Sequence, residues 1–232
     1  MSKVAASRAP PNQLLAALPK DEYRRLLPNL ESFLLVFGQA IYEPGDPIRH
    51  VYFPSSGIIS LLAVVEGQTM LEVGMVGREG MVGLPVFMGV KSSRDRAVVQ
   101  GAGAAMRMEA TAFQKECDKG DSLPRLLRRY THSRLTQVAQ GAACNRYHSI
   151  DERLARWLLM THDRMRSDEF RLTQEFLSNM LGVRREGVNK AASGLQRRNL
   201  INYSRGTLTT LNRVGLEAVA CRCYGIIKKE SD

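Results

Sequence analysis

The chain has 232 residues, of which 44% are hydrophobic and 24% charged, with 33 Lys and Arg against 23 Asp and Glu for a formal net charge of +10. That length suffices for one large domain or two smaller ones with a sizeable core. No apolar run approaches the ~20 residues of a membrane span, and MSKVAASRAPPNQ lacks the apolar centre of a signal peptide, so the expected location is the cytoplasm, with no membrane partner.

Charge is spread unevenly. Lys and Arg exceed Asp and Glu by 1 over residues 1–110, by 4 over 111–150 and by 5 over 151–232. A basic rear half points to nucleic acid, because Lys and Arg contacts to phosphate supply much of such affinity. A merely solubilising surface is the competing reading. The four cysteines, Cys117, Cys144, Cys221 and Cys223, make no C-x2-C pair. Cys221 and Cys223 have no nearby partners in the sequence to complete a zinc site, so all four read as ordinary reduced thiols and no metal site is expected.

Taken in order, residues 1–11 are small and polar with two prolines, as in a loose tail. Residues 12–18 and 21–27 read as two short helices, followed by Pro19 and Pro28. From about 33 to 108 the texture is that of strands. The runs QAIY, HVYF, GIISLLAVV, TMLEVGMV, RAVVQ and AAMRM are separated by turn signals such as Pro44-Gly45-Asp46-Pro47 and Glu66-Gly67. Short strands at even spacing predict an antiparallel sandwich or barrel. A short helix follows over 111–117. A longer one spans about 121–145, with Pro124 in its first turn and an apolar stripe that includes Leu127, Tyr130, Leu135 and Val138. That stripe has to be covered by the barrel, by a second copy of the helix, or by both. Ser149-Ile150-Asp151-Glu152 is a capping box that starts another helix, which places a hinge near 145–148.

The stretch 173–197 carries the strongest functional signal. Phe176, Leu177, Met180 and Leu181 share one helical face, and Gly182 ends that helix. In the next helix, about 184–197, Val188, Ala191, Ala192 and Leu195 form a narrow apolar stripe. Arg184 opens that helix, and Arg185, Glu186, Asn189, Lys190, Ser193 and Arg197 lie outward. Two helices joined at a glycine, the second polar outward, form a helix-turn-helix, whose second helix reads base edges in the major groove. Arginine suits guanine, glutamate suits cytosine and asparagine suits adenine. Glu186 repels phosphate, so it fits a base-reading helix better than a purely electrostatic one. The pair 201–203 and 207–211 flanks Ser204-Arg205-Gly206 as a hairpin wing, whose Arg205 tip can meet a phosphate. Thr173 and Gln174 sit at the start of the first helix, positioned for the DNA backbone. An apolar pattern after Asn212 predicts a final helix.

With these elements in place, the chain resembles the Crp/Fnr family of bacterial transcription regulators over nearly its whole length. Arg185-Glu186-Gly187-Val188-Asn189-Lys190 is similar to the family's recognition-helix signature. Tyr42 to Asp46, Gly57, and Gly77 to Gly83 are similar to its glycine-punctuated β-roll. The resemblance implies an α+β protein in three parts. These are an effector-binding-like, jelly-roll-like antiparallel β-roll over 1–120, a dimerisation helix and hinge over 121–148, and a winged helix-turn-helix over 149–232. It implies double-stranded DNA, a second copy of the chain and RNA polymerase as partners, and no catalysis. It places an effector pocket near Gly83, Leu84, Arg94, Arg96, Ala97, Val138 and Ala139. The family's cyclic-nucleotide binders carry glutamate where this chain has Leu84. Asp95 lies between the two arginines available for a phosphate, and Val138 and Ala139 have no hydrogen-bonding side chain for a base. Those departures argue against cyclic AMP. The first cysteine is Cys117, which argues against the family's iron–sulfur cluster, so the effector stays unidentified. Two alternatives are a regulator with a ligand-free vestigial barrel and a cupin-type metal enzyme. The enzyme is disfavoured because only His50 of the four histidines falls in the barrel segment.

Overall fold

The computed structural model describes residues 12–65 and 70–231, and the expected loose tail over 1–11 and the Glu66-Gly67 turn lie outside the described residues. Alternating apolar runs fold as β2 (Ala40–Tyr42), β3 (His50–Pro54), β4 (Ile58–Val64), β5 (Met70–Val76), β6 (Asp95–Gly101) and β7 (Gly103–Glu109). A further strand, β1 (Glu31–Leu35), opens on Glu31 and Ser32 and carries no clear alternation; it is held by pairing with β7 from Glu31 opposite Arg107 to Leu35 opposite Gly103. Every pairing in the roll is antiparallel, in two sheets of order β1-β7-β3 and β2-β6-β4-β5. Leu35, Val51, Phe53, Ile59, Val76, Val99 and Met108 fill the space between them.

Helices close the roll. The first, α1 (Gln13–Ala16), is capped by Asn12, whose Oδ1 accepts from the Leu15 N–H at 3.2 Å. The Asn12 amide also donates to Pro54 O at 2.9 Å and Gly80 O at 2.8 Å, which ties the helix to two turns of the roll. Three more follow: α2 (Lys20–Leu26), the short α3 (Leu84–Phe87) and α4 (Ala110–Asp118). The long α5 (Ser122–Tyr147) buries Leu123, Leu127 and Tyr130 on the roll, and Tyr130 donates to Met81 O at 3.0 Å. Farther along, the Arg134 guanidinium crosses Gly74 so closely that a Cβ there would lie 1.7 Å from Nη2. Leu135 and Val138 remain exposed. The helix runs two residues beyond the expected end, because the His148 N–H still donates to Cys144 O at 3.1 Å.

The capping box forms as read: Ser149 N–H donates to Glu152 Oε2 at 2.8 Å, and Ser149 Oγ accepts from Glu152 N–H. It starts α6 (Ile150–Met165), which is buried on two sides. Trp157, Thr161, Arg164 and Met165, spaced i, i+4, i+7 and i+8, face the roll. Thr161 accepts from Gln100 at 3.0 Å, and Arg164 pairs with Glu79 at 2.7 Å. Leu154, Ala155, Leu158 and Leu159 are fully buried in a core shared with Val188, Leu195 and Leu216 of the rear elements and Ile58, Leu62 and Met75 of the roll. A helix apolar over most of its circumference needs cover on both sides. Here it receives that cover from both halves of the chain.

Between α6 and the roll, Trp157 Nε1 donates to Glu72 Oε2 at 3.2 Å. Ser60 Oγ lies 3.0 Å from the same oxygen and 2.6 Å from Gln100 Oε1. Ser60 has one proton to give, so it donates to one of these two oxygens at a time. Desolvation is the main influence on Glu72 and raises its carboxyl above the ordinary range. A carboxyl raised by folding binds its proton more tightly folded than unfolded, so it costs stability as pH rises above 4.5 through its folded value. Glu72→Gln should therefore raise the melting temperature at neutral pH and flatten the fall of stability above that pH. Thermal melts across a pH series will show it, and an unchanged profile with lower stability at neutral pH would oppose this reading.

Candidate nucleic-acid interface

The Thr173 hydroxyl accepts from the Phe176 N–H at 3.0 Å and so starts α7 (Gln174–Leu181). Leu177, Met180 and Leu181 are buried, and the Phe176 ring lies 5.6 Å from that of Phe37 on the roll. Gly182 ends the helix at φ 60°, ψ 43°, a left-handed conformation that costs other L residues ~1–2 kcal/mol. Arg184 occupies the cap position of α8 (Arg185–Arg197). Val188, Ala191, Ala192 and Leu195 are each at most 1% exposed. Arg184, Arg185, Glu186, Asn189, Lys190 and Arg197 are exposed, and Ser193 is half-buried.

The outward residues interact with α7. Glu175 holds Arg185 at 2.5 Å, and the Gln174 amide lies 3.4 Å from Asn189 Oδ1. Both members of the ion pair are more than half exposed, so it contributes little to stability and is readily exchanged for another partner. Glu175 carries no sequence signal for this role, because its partner sits ten residues on in the next helix.

The wing is a three-stranded sheet of order β8-β10-β9, formed by β8 (Glu169–Arg171), β9 (Ile201–Ser204) and β10 (Thr207–Thr210). Arg205 and Gly206 both have positive φ, 50° and 77°, as a two-residue hairpin of the primed type requires. Arg205 is exposed at the tip. Thr173 and Gln174 are exposed at the start of α7. Beyond the wing come α9 (Arg213–Val219) and α10 (Cys223–Ser231).

Residues 152–219 match the family of Crp-like helix-turn-helix domains. Among solved structures, FixK2 from Bradyrhizobium japonicum is 17% identical, with a TM-score of 0.69 over 83% of this chain and 98% of that one. The c-di-GMP-responsive global regulator CLP of Xanthomonas campestris is 16% identical, with a TM-score of 0.68 over 83% and 99%. A Crp/Fnr-family regulator from Thermus thermophilus is 20% identical, with a TM-score of 0.67 over 82% and 98%. At these identities the likeness is one of fold. Among curated proteins no match is found. The Crp-like helix-turn-helix match at the rear implies DNA binding, and the likeness to solved regulators shows that most of the chain shares their fold.

In the β-roll, a cavity of about 180 Å³ opens between the sheet and α5. Ligand pockets usually hold ~300–1,000 Å³, so this one is small. Of the residues expected there, Gly83, Leu84 and Val138 line it, whereas Arg94, Arg96, Ala97 and Ala139 do not. Strand alternation accounts for the two arginines. Ser93 and Asp95 turn toward the cavity, Arg94 points to solvent, and Arg96 pairs with Glu43 at 3.1 Å. Ala97 is packed in the core, and Ala139 is exposed on α5. Arg134, which sequence reasoning missed, is the cation at this cavity. Burial raises the Asp95 carboxyl above its ordinary value, and Arg134 acts in the opposite direction.

Cys221 and Cys223, read from the sequence as lacking partners, have them in space. Cys144 and His148 at the end of α5 lie against them, and all four ligand-type atoms are within 4.8 Å of one another. The partners come from some 75 residues away, beyond the reach of a spacing rule.

The helix-turn-helix joint also touches the roll: a Cβ at Gly182 would lie 2.7 Å from Leu71 Cδ1. Gly182→Ala should lower stability by ~1–2 kcal/mol from backbone strain alone, and adding Leu71→Ala should recover only the steric excess. Urea unfolding of the two variants separates these contributions.

Proposed function

We propose that the regulator acts as a homodimer that reads a roughly two-fold symmetric DNA site through α8. The observation that carries this is the division of α8 into a fully buried apolar stripe and an exposed face bearing Arg185, Glu186, Asn189 and Lys190. Arg185 reads guanine, Glu186 reads cytosine, and Lys190 meets a guanine or a phosphate. Arg184, Asn189, Ser193 and Arg197 border that surface, while Thr173, Gln174 and Arg205 meet the DNA backbone. The Glu175–Arg185 pair is exchanged on binding, which frees the guanidinium for a base edge.

The proposed dimer seam lies on α5. Arg128, His132, Leu135, Ala139, Ala142 and Arg146 alternate by four and three residues, the spacing of a coiled-coil face. Leu135 is 63% exposed at its centre, and the small alanines allow close approach. With this seam on the axis, half-site centres lie about one helical turn, ~34 Å, apart. RNA polymerase is the proposed partner of the DNA-bound dimer. The β-roll cavity is proposed not to take cyclic AMP, because Asp95 faces the position of a phosphate and the lining near Val138 is apolar.

Arg185→Ala should weaken binding to the cognate site by ~1–3 kcal/mol and relax preference at one base pair. Titrations against a base-substitution series measure both effects, and unchanged discrimination would refute the role of Arg185. Leu135→Glu should convert the dimer largely to monomer in sedimentation experiments while leaving the helix-turn-helix folded. A variant that still sediments as a dimer would move the interface elsewhere.

A further inference from the structure

We propose that Cys144, His148, Cys221 and Cys223 form a tetrahedral site for a divalent zinc ion, which clamps the last helix to the hinge that carries the DNA-reading unit. Cys144 lies on the final turn of α5, and His148 caps that turn, its N–H donating to Cys144 O at 3.1 Å. Cys221 and Cys223 flank Arg222 where the chain turns into α10. Cys144 Sγ lies 3.4 Å from Cys221 Sγ, and Cys223 Sγ lies 3.6 Å from His148 Nδ1. Zinc bonds of ~2.3 Å to sulfur and ~2.0–2.1 Å to nitrogen place the corners of a tetrahedron ~3.5–3.8 Å apart. Those two separations stand close to these values, and all four atoms lie within 4.8 Å of one another.

The competing reading is a patch of buried thiols packed as small apolar groups. Two features speak against it. It leaves the presence of His148 unaccounted for, and it leaves Arg153 without a counterion. Arg153 is 7% exposed; its Nη2 donates to Leu181 O, but its Nε has no hydrogen-bond partner. Its electrostatic neighbours are the Cys144 and Cys221 thiols and the Arg156 cation, with no carboxylate among them. Arg156 Nε is likewise buried and without a partner. A buried cation of this kind calls for an anion. Three thiolates, a neutral imidazole and a dication carry one net negative charge, which supplies it. The Gln140 amide donates to Cys223 Sγ at 3.0 Å, the kind of outer hydrogen bond that orients a metal thiolate. Binding is an exchange of protons for metal: three S–H groups release three protons to solvent, three Zn–S bonds and one Zn–N bond form, and no electrons move.

The location gives the site its consequence. It joins the end of α5 to the start of α10 at the break where α6 begins. Occupancy would therefore stiffen the joint between the dimer helix and the reading unit.

The test uses the reduced, full-length chain, freed of metal by a chelator and titrated with Co(II) and then Zn(II). The expected result is one metal per chain, a cobalt spectrum of tetrahedral thiolate type, and a higher melting temperature with zinc. Cys144→Ser and Cys221→Ser should each abolish that spectrum, and Cys117→Ser, which lies in the roll core, should leave it intact. Hydrogen bonds from Arg213 to Asp163 and Tyr224, at 2.7 Å each, hold α10 independently of the cysteines, and circular dichroism checks the variants. If the serine variants fail to fold, the cobalt spectrum of the unsubstituted chain decides alone. A reduced chain that takes up neither metal overturns the proposal, as does a cobalt spectrum without thiolate character or one retained in both cluster variants. A Cys144–Cys221 disulfide in air-oxidised protein, together with no metal uptake after reduction, overturns it in favour of a redox link.

Discussion

The structure depends on the double burial of α6. A helix with Leu154, Trp157, Leu158, Leu159 and Met160 all in the interior cannot stand at the edge of either half. It must be enclosed, and here the roll lies on one side and α8 and α9 on the other. The polar contacts between α6 and the roll include Trp157 with Glu72, Thr161 with Gln100 and Arg164 with Glu79. Apolar burial holds the layer together, and these bonds fix its register. The orientation of α8 relative to α5 follows from this packing, with the connection at His148-Ser149 serving only to join them.

Electrostatics then divides the labour. Positive charge in the rear half is exposed on α8 and at the wing tip, and Glu186 is the acidic member of the outward face of α8. In the roll cavity the signs are different. Asp95 and Arg134 face each other across a small, mainly apolar space, and the arginines of the same segment point outward. Which side chains of this segment face the cavity is decided by strand alternation, which residue types alone do not reveal.

Much of this was legible in the residues. The four-residue stripe of α8, the glycine at 182, the capping box at 149–152 and the wing hairpin are local patterns, and local patterns survive folding when tertiary contacts agree with them. What escaped was non-local. At three residues β8 is too short to show alternation, and it exists because β10 offers it an edge. Arg94 and Arg96 were expected to face the cavity because arginine suits a phosphate, but the pleat sends them away. The four metal-type side chains come from helix ends separated by about 75 residues, so no spacing rule could join them. Glu72 reads as an ordinary strand carboxylate until Trp157 covers it.

The Leu154–Met160 layer also sets how the molecule comes apart. Neither half can leave the other without exposing one side of α6 to water, so roll and reading unit share a single melting transition and are poor candidates for separate expression. Any signal that turns the reading heads must slide these packed surfaces past one another, a shear movement, since swinging them open would expose that apolar side.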